Sequence, residues 1–254
     1  MKKRPYILSI AGFDPSGGAG LVADCKTFEA LKCQGLSVCT ANTIQTDTTF
    51  IDCIWTDIDT IKKQIETLFK RFNIDVVKIG IIQNWRTMSE IIDVLISLNT
   101  EIKIIVDPVL SASTNFDFHA ETQTNFDSKI FDKVLSKIYV LTPNYDEIQK
   151  LYSSKTIEET IAHITEKTNL FLKGGHNESE KGKDYLYTKQ GEKYPINPKY
   201  HPVYPKHGSG CVLSSAMAAY LNLGFPLLKS CFRAKRFTEK YLGSNKELLG
   251  NFRF

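Results

Sequence analysis

"YILSIAGFDPSGGAGLVADCKTFEALKCQG", residues 6–35, decides the fold. The apolar run from Tyr6 to Gly12 reads as a buried strand. Gly12, Pro15, Gly17, Gly18 and Gly20 then turn the chain, and apolar residues recur at helical spacing up to a closing Gly35. A strand passing through a glycine turn into a helix is half of a parallel βαβ unit. The turn matches neither common nucleotide loop: Ala19 follows Gly18 where a Walker loop carries lysine, and "GAGLVA" ends in Ala23 where the dinucleotide fingerprint has glycine. Its glycines still permit positive φ and let backbone N–H groups approach a ligand.

Outward from this unit, strand and helix alternate. "LSVCTANTIQT", "IDVVKIGII", "EIKIIVDPVL", "YVLTPN" and "TNLFLKGG" read as strands. "DIDTIKKQIETLFKRF", "TMSEIIDVLISLN", "FDSKIFDKVLSKI" and "YDEIQKLYSS" read as helices. Continuous apolar strands between helices predict an α/β domain with a mostly parallel central sheet covered on both faces. With no repeat and no linker, residues 1–254 are expected to form a single domain. Two polar segments break the rhythm, 111–127 and 176–206. The second contains "KDYLYTKQGEKYPI", a small hairpin turning at Gln190–Gly191.

Composition narrows the function classes. Lys plus Arg is 32 and Asp plus Glu 28, a net charge of +4 too small and too evenly spread to argue for nucleic acid. No run approaches the roughly 18 apolar residues of a membrane span, and the N-terminal apolar run is broken at Gly12 and Asp14, too early for a secretory signal. Cys25, Cys33, Cys39, Cys53, Cys211 and Cys231 form no C-x-x-C pair and no zinc spacing, so reduced thiols in a cytoplasmic protein are expected.

In an open α/β sheet, ligands bind beyond the carboxyl ends of the strands. The turns there are "AGFDPSGGAG", "TIQTD", "IGII", "DPVL", "TPNYDE", "KGGH" and "HGSGC". In the last, Gly208, Ser209 and Gly210 present successive N–H groups at the positive end of a helix, and Cys211 stands where a thiol pKa tends to fall. Asn144 and Glu147, three apart, share one face of a starting helix. They read either as oxygen ligands near a Mg²⁺-bound phosphate or as a capping box. Lys173 at a strand end is either a phosphate partner or a surface lysine. Asp24 is either a pocket carboxylate or a helix-dipole partner.

Taken together and in this order, "IAGFDPSGGAGLVADCKTFEALKCQG", "TIQT", "KIGII", "VDPV", "LTPN", "LKGGH" and "HGSGC" resemble the hydroxymethylpyrimidine/phosphomethylpyrimidine kinases of thiamine biosynthesis, a branch of the ribokinase-like superfamily. The likeness runs from Ile7 to about Tyr241. It implies a three-layer ribokinase-like fold, a homodimer, and phosphorylation by ATP with Mg²⁺ of 4-amino-5-hydroxymethyl-2-methylpyrimidine and of its monophosphate. By this resemblance Gln45, Asp24, Gly12 and Ile81 surround the pyrimidine, while Asn144, Asp107 and Lys173 meet the nucleotide phosphates. Glu147 holds Mg²⁺ through water, and Cys211 takes the place of the ribokinase general base. The chain departs from the pattern at Phe13, where the family usually has Ser, and in "LSASTNFDFHAE", which lacks the usual Lys-Ser-Gly. A pyridoxal-type kinase, a pyrimidine sensor without catalysis and a thiol hydrolase pairing His207 with Cys211 stand as alternatives.

Overall fold

The structure, a computed structural model, describes residues 4–110, 127–175, 180–200 and 202–252. In chain order its elements are β1 (Tyr6–Phe13), α1 (Gly20–Ala30), β2 (Gln34–Gln45), β3 (Phe50–Trp55), α2 (Ile58–Arg71), β4 (Ile74–Ile79) and α3 (Trp85–Leu98). There follow β5 (Lys103–Val106), α4 (Ser128–Leu135), β6 (Val140–Leu141), α5 (Tyr145–Leu151), α6 (Ile157–Thr165), β7 (Asn169–Leu172), β8 (Asp184–Tyr187) and β9 (Lys193–Ile196). The last two are α7 (Ser209–Asn222) and α8 (Leu227–Leu242).

The strands form one sheet in the order β3-β2-β1-β4-β5-β6-β7-β8-β9. From β2 to β7 every neighbour is parallel. β3 adds antiparallel to one edge, and the β8–β9 hairpin to the other. That hairpin pairs Tyr187 with Lys193 and turns through Gly191 at φ 87°, as the Gln190–Gly191 signal predicts. From β1 the chain crosses to β2 on one side, and β4, reached later through α2, takes the other side of β1, which opens a crevice at the carboxyl ends of these strands.

Period-2 alternation divides the core into two layers. Leu8, Ile10, Val77, Ile79, Ile104 and Val106 pack with residues of α2, α3, α4, α5 and α6. Ile7, Val76 and Ile105 face the other way, onto α1, α7 and α8. Ser9, Lys78 and Asp107, two residues on from those three, therefore emerge beside α1 and α7. This register builds the site.

α1 ends earlier than Gly35 suggests: Gly35 lies inside β2, where it pairs with Ile7. The helix is closed by Lys32 in the left-handed region, φ 63°, with the Cys33 N–H returning to the Phe28 carbonyl at 2.9 Å. A side chain in that conformation costs about 1–2 kcal/mol that glycine avoids. Lys32→Gly is expected to raise the unfolding free energy by about 0.5–1 kcal/mol in urea titration, with the m-value unchanged.

The polar segment 111–127 lies outside the described residues except for Asp127, which caps α4. His176 lies outside them too. Among the described residues no helix is long and apolar enough to cross a membrane.

Candidate active site

A cavity of about 390 Å³ runs along the carboxyl edge of the sheet. In sheet order its wall passes from Thr43 and Gln45 on β2 through Gly12 on β1, Lys78 and Ile81 at β4 and Asp107 after β5, to Asn144 and Lys173 after β6 and β7. Ser209, Gly210 and Cys211 open α7 against its middle. Every residue expected to form the site lines this cavity except Asp24.

Helix starts differ across the molecule. α2, α3, α4, α5 and α6 each carry a side-chain cap, from Asp57, Asn84, Asp127, Asn144 and Thr156. α1 and α7, which rise from the two glycine turns at the cavity, have none: Ala19 and Gly208 occupy their caps. Gly208 needs its missing side chain, since φ is 72° and a Cβ there would lie 2.1 Å from the Gly18 carbonyl oxygen. The first intrahelical bond of α7 runs from the Val212 N–H to the Gly208 carbonyl. The leading donors are thus Ser209, Gly210 and Cys211, one residue later than Gly208–Gly210, and Gly208 supplies the turn. Three N–H groups at the positive end of a helix bind an anion.

Two buried ion networks stand behind them. Lys78 and Asp24 are both fully buried, with Nζ 2.8 Å and 3.1 Å from the two carboxylate oxygens. Ser9 and Ser215 complete the carboxylate's shell at 2.5 Å and 2.6 Å. Asp24 therefore sits behind the cavity wall and fixes Lys78, which reaches the cavity in its place. Lys173 lies 2.8 Å from Asp107 and 3.5 Å from Glu147. Ser214 and Thr142 donate to Asp107 at 3.1 Å and 3.3 Å. Burial would raise the Asp107 carboxyl, but Lys173 and Lys78 outweigh it and hold it below the usual carboxylate range. Burial raises Glu147, which Asp107 reinforces against the pull of Lys173. Glu147 also forms the capping box, each partner at 2.7 Å. The capping box of Asn144 and Glu147 and their place on the cavity wall therefore share one geometry.

The thiol departs from the helix-terminus expectation. Burial pushes Cys211 up to about 11; Lys78 and the Gly20 N–H donated to its sulfur lower it, while Asp24 and Asp107 oppose them. Burial is the largest of these influences and outweighs the helix-start effect. Nearby, Thr43 donates to the Phe13 carbonyl at 2.8 Å, so its oxygen accepts from Gln45 Nε2 at 2.7 Å. That chain fixes the Gln45 amide with Oε1 and one N–H left for a ligand.

Lys78 and Asp14 went unread as site residues, and His207 was read only as the thiol's partner in the hydrolase alternative. A lysine inside the apolar strand "IDVVKIGII" was the available signal for Lys78. Asp14 accepts from Ser16 N, Ser16 Oγ and Ala19 N at 2.8–2.9 Å, and His207 Nε2 lies 2.9 Å from it. His207 thus turns Nε2 to a carboxylate, while the Cys211 sulfur takes the Gly20 N–H, which disfavours the hydrolase alternative. Burial would raise Asp14, but His207, Ser16 and Ala19 hold it below the usual range. The turn's contribution to stability is accordingly lost as pH falls through and below about 4.

Among the described residues no three His, Cys, Asp or Glu side chains converge as a metal cage. Mg²⁺ needs none: it keeps several waters and takes one or two carboxylates together with substrate phosphates. Glu147 and Asp107, at the cavity end that holds Lys173, fit that demand.

Residues 14–251 match a family model described as phosphomethylpyrimidine kinase. The chain is 31% identical over 249 residues to a hydroxymethylpyrimidine/phosphomethylpyrimidine kinase of Aquifex aeolicus, covering 95% of each. It is similar to the crystal structure of phosphomethylpyrimidine kinase from Clostridium difficile, with TM-score 0.75 and 28% identity over 94% of this chain and 98% of that one. A pyridoxal kinase from Staphylococcus aureus in complex with ADP matches with TM-score 0.82 and 25% identity, over 97% of this chain and 91% of that one.

Proposed function

This chain belongs to the phosphomethylpyrimidine kinase family, and from that membership we propose that its cavity phosphorylates 4-amino-5-hydroxymethyl-2-methylpyrimidine, and then the monophosphate, at the expense of ATP. The observation that carries the reading is one continuous cavity with an oriented amide at one end and a lysine–carboxylate cluster at the other. An aminopyrimidine edge shows an amino donor beside a ring-nitrogen acceptor, and Gln45 offers the complementary pair. Thr43→Val frees that amide to rotate. The KM for the pyrimidine is expected to rise about 5–10-fold, the worth of roughly one hydrogen bond, with the KM for ATP unchanged in initial-rate assays.

Lys173 meets the triphosphate as a point charge, and the Ser209, Gly210 and Cys211 N–H groups hold the oxygens of the transferring group. Glu147 would hold Mg²⁺, which would supply positive charge against the nucleotide phosphates. The hydroxymethyl oxygen forms the new bond to the γ-phosphorus as the bond to the bridging oxygen breaks, and ADP leaves with that electron pair. The hydroxyl proton passes to the Cys211 thiolate. The fixed N–H array and the two buried lysines are in place before substrate arrives, so little reorganisation accompanies transfer. The homodimer and the cytoplasmic location belong to the same proposal.

The test is ADP release with Mg-ATP and, separately, the aminopyrimidine alcohol, its monophosphate and pyridoxal. Turnover of both pyrimidines supports the proposal. Turnover of pyridoxal alone makes the chain a pyridoxal-type kinase, and tight pyrimidine binding without turnover makes it a sensor.

A further inference from the structure

Residues 244–252 supply no group to this chemistry, yet they fold back onto both glycine turns. Ser244 Oγ accepts the Asn251 N–H at 2.9 Å and Asn245 Nδ2 donates to the Leu249 carbonyl at 3.0 Å, which closes the segment into a loop. Phe252 packs on Tyr241 with ring centroids 4.9 Å apart, and the Lys26 ammonium stands 5.7 Å from the Phe252 centroid, so the loop is anchored to α8 and α1.

Its inner side meets the residues that precede α7. The Leu248 carbonyl accepts the His207 N–H at 3.0 Å, and the Asn245 carbonyl accepts Lys206 Nζ at 2.7 Å. Tyr241 donates to the His207 carbonyl at 3.3 Å. Leu249 and the His207 ring together roof Gly18: a Cβ there would lie 2.7 Å from Leu249 Cδ2 and 2.6 Å from His207 Cδ2. Contacts run on without a gap from Leu248 to His207, from His207 to Asp14, and from Asp14 to the turn that ends at Gly20. The Gly20 N–H then meets the Cys211 sulfur.

We infer that residues 244–252 are a strap that positions the anion-binding turns and the thiol, with Leu249 as the strap's positioning residue and His207 as the residue through which it acts. The strap holds His207 from outside while Asp14 holds it from within, so the uncapped starts of α1 and α7 keep one spacing. Its kinetic consequence rests on the kinase reading; its effect on the thiol does not. Slack at Leu249 displaces donors that must meet a transition state, where misplacement by about 1 Å costs up to about 10²-fold.

The experiment compares the full-length parent protein, Leu249→Ala and Leu249→Met. It reads kcat and KM with Mg-ATP and the aminopyrimidine alcohol, the melting temperature, and the rate of Cys211 alkylation by iodoacetamide followed on its own peptide. Leu249→Ala is expected to lose about 10-fold in kcat with KM nearly unchanged. Its Cys211 should alkylate several-fold faster, and Leu249→Met should return both readings close to the parent. Faster alkylation of Leu249→Ala than of a parent protein that phosphorylates no pyrimidine supports the strap and overturns the substrate assignment. A folded Leu249→Ala with unchanged kcat and unchanged alkylation overturns the strap. So does a loss that only tracks the melting temperature and that Leu249→Met leaves in place.

Discussion

Cys211→Ala lowers kcat by about 10²–10⁴-fold, the range a positioned proton acceptor supplies, while the protein stays folded. The thiol's neighbours hold one another: Lys78 is paired with Asp24, Lys173 with Asp107. Removing the thiol therefore strands no charge. Because burial pushes the thiol up to about 11, only a small thiolate fraction exists near neutrality. That fraction grows tenfold per pH unit below the pKa, so kcat/KM of the parent protein is expected to climb between about pH 7 and pH 9. The climb should vanish in Cys211→Ala. Initial rates across that window, with the nucleotide kept saturating, decide the matter. A residual rate that rises with pH as steeply as the parent's would show that another group takes the proton.

Lys78→Met is the largest expected loss of stability, about 3–5 kcal/mol, because it leaves the carboxylate of Asp24 buried and uncompensated. For a chain of this size the melting temperature should fall by roughly 10 °C, at about 2–4 °C for each kcal/mol. The Asp24 shell explains the size of the effect. Ser9 and Ser215 donate to the carboxylate from β1 and α7, but neither brings a positive charge. Lys78→Met combined with Asp24→Asn should recover much of the loss, since the amide stays within reach of those hydroxyls without a charge to bury. Calorimetry on the parent, both single variants and the double variant yields the coupling directly. Additive losses would mean that the two side chains are packed neighbours with no pairing energy of consequence.

The parallel sheet was legible because its strands are unbroken apolar runs that end in glycine, proline or amide turns. The β8–β9 hairpin was legible from Gln190–Gly191 alone. β3 was not, because an edge strand such as "FIDCIW" leaves Ile51 and Ile54 largely exposed and has no buried face to mark it. α8 escaped for the opposite reason: its buried side includes Ser230, Lys235, Thr238 and Glu239, which blur an apolar stripe. Within the site, the post-strand turns located Gln45, Asp107, Asn144, Lys173 and Cys211 beside one cavity. Burial is not legible in a turn motif, so Asp24 was expected in the cavity although it lies behind the wall. For the same reason the depressed thiol pKa expected of a helix start gives way to a raised one.

The bonds from His207 to Asp14 and from Ser215 to Asp24 join residues 193 and 191 positions apart. Closing a loop of that length costs conformational entropy before either contact can form, and contacts so remote in sequence form slowly. During refolding, β1, α1 and β2 can assemble as a neighbouring unit long before α7 docks on them. Native-like secondary structure is therefore reached ahead of catalytic competence, and the interval exposes the apolar face that α7 later covers. A folding helper that shields this face would increase the yield of active protein without touching the finished site.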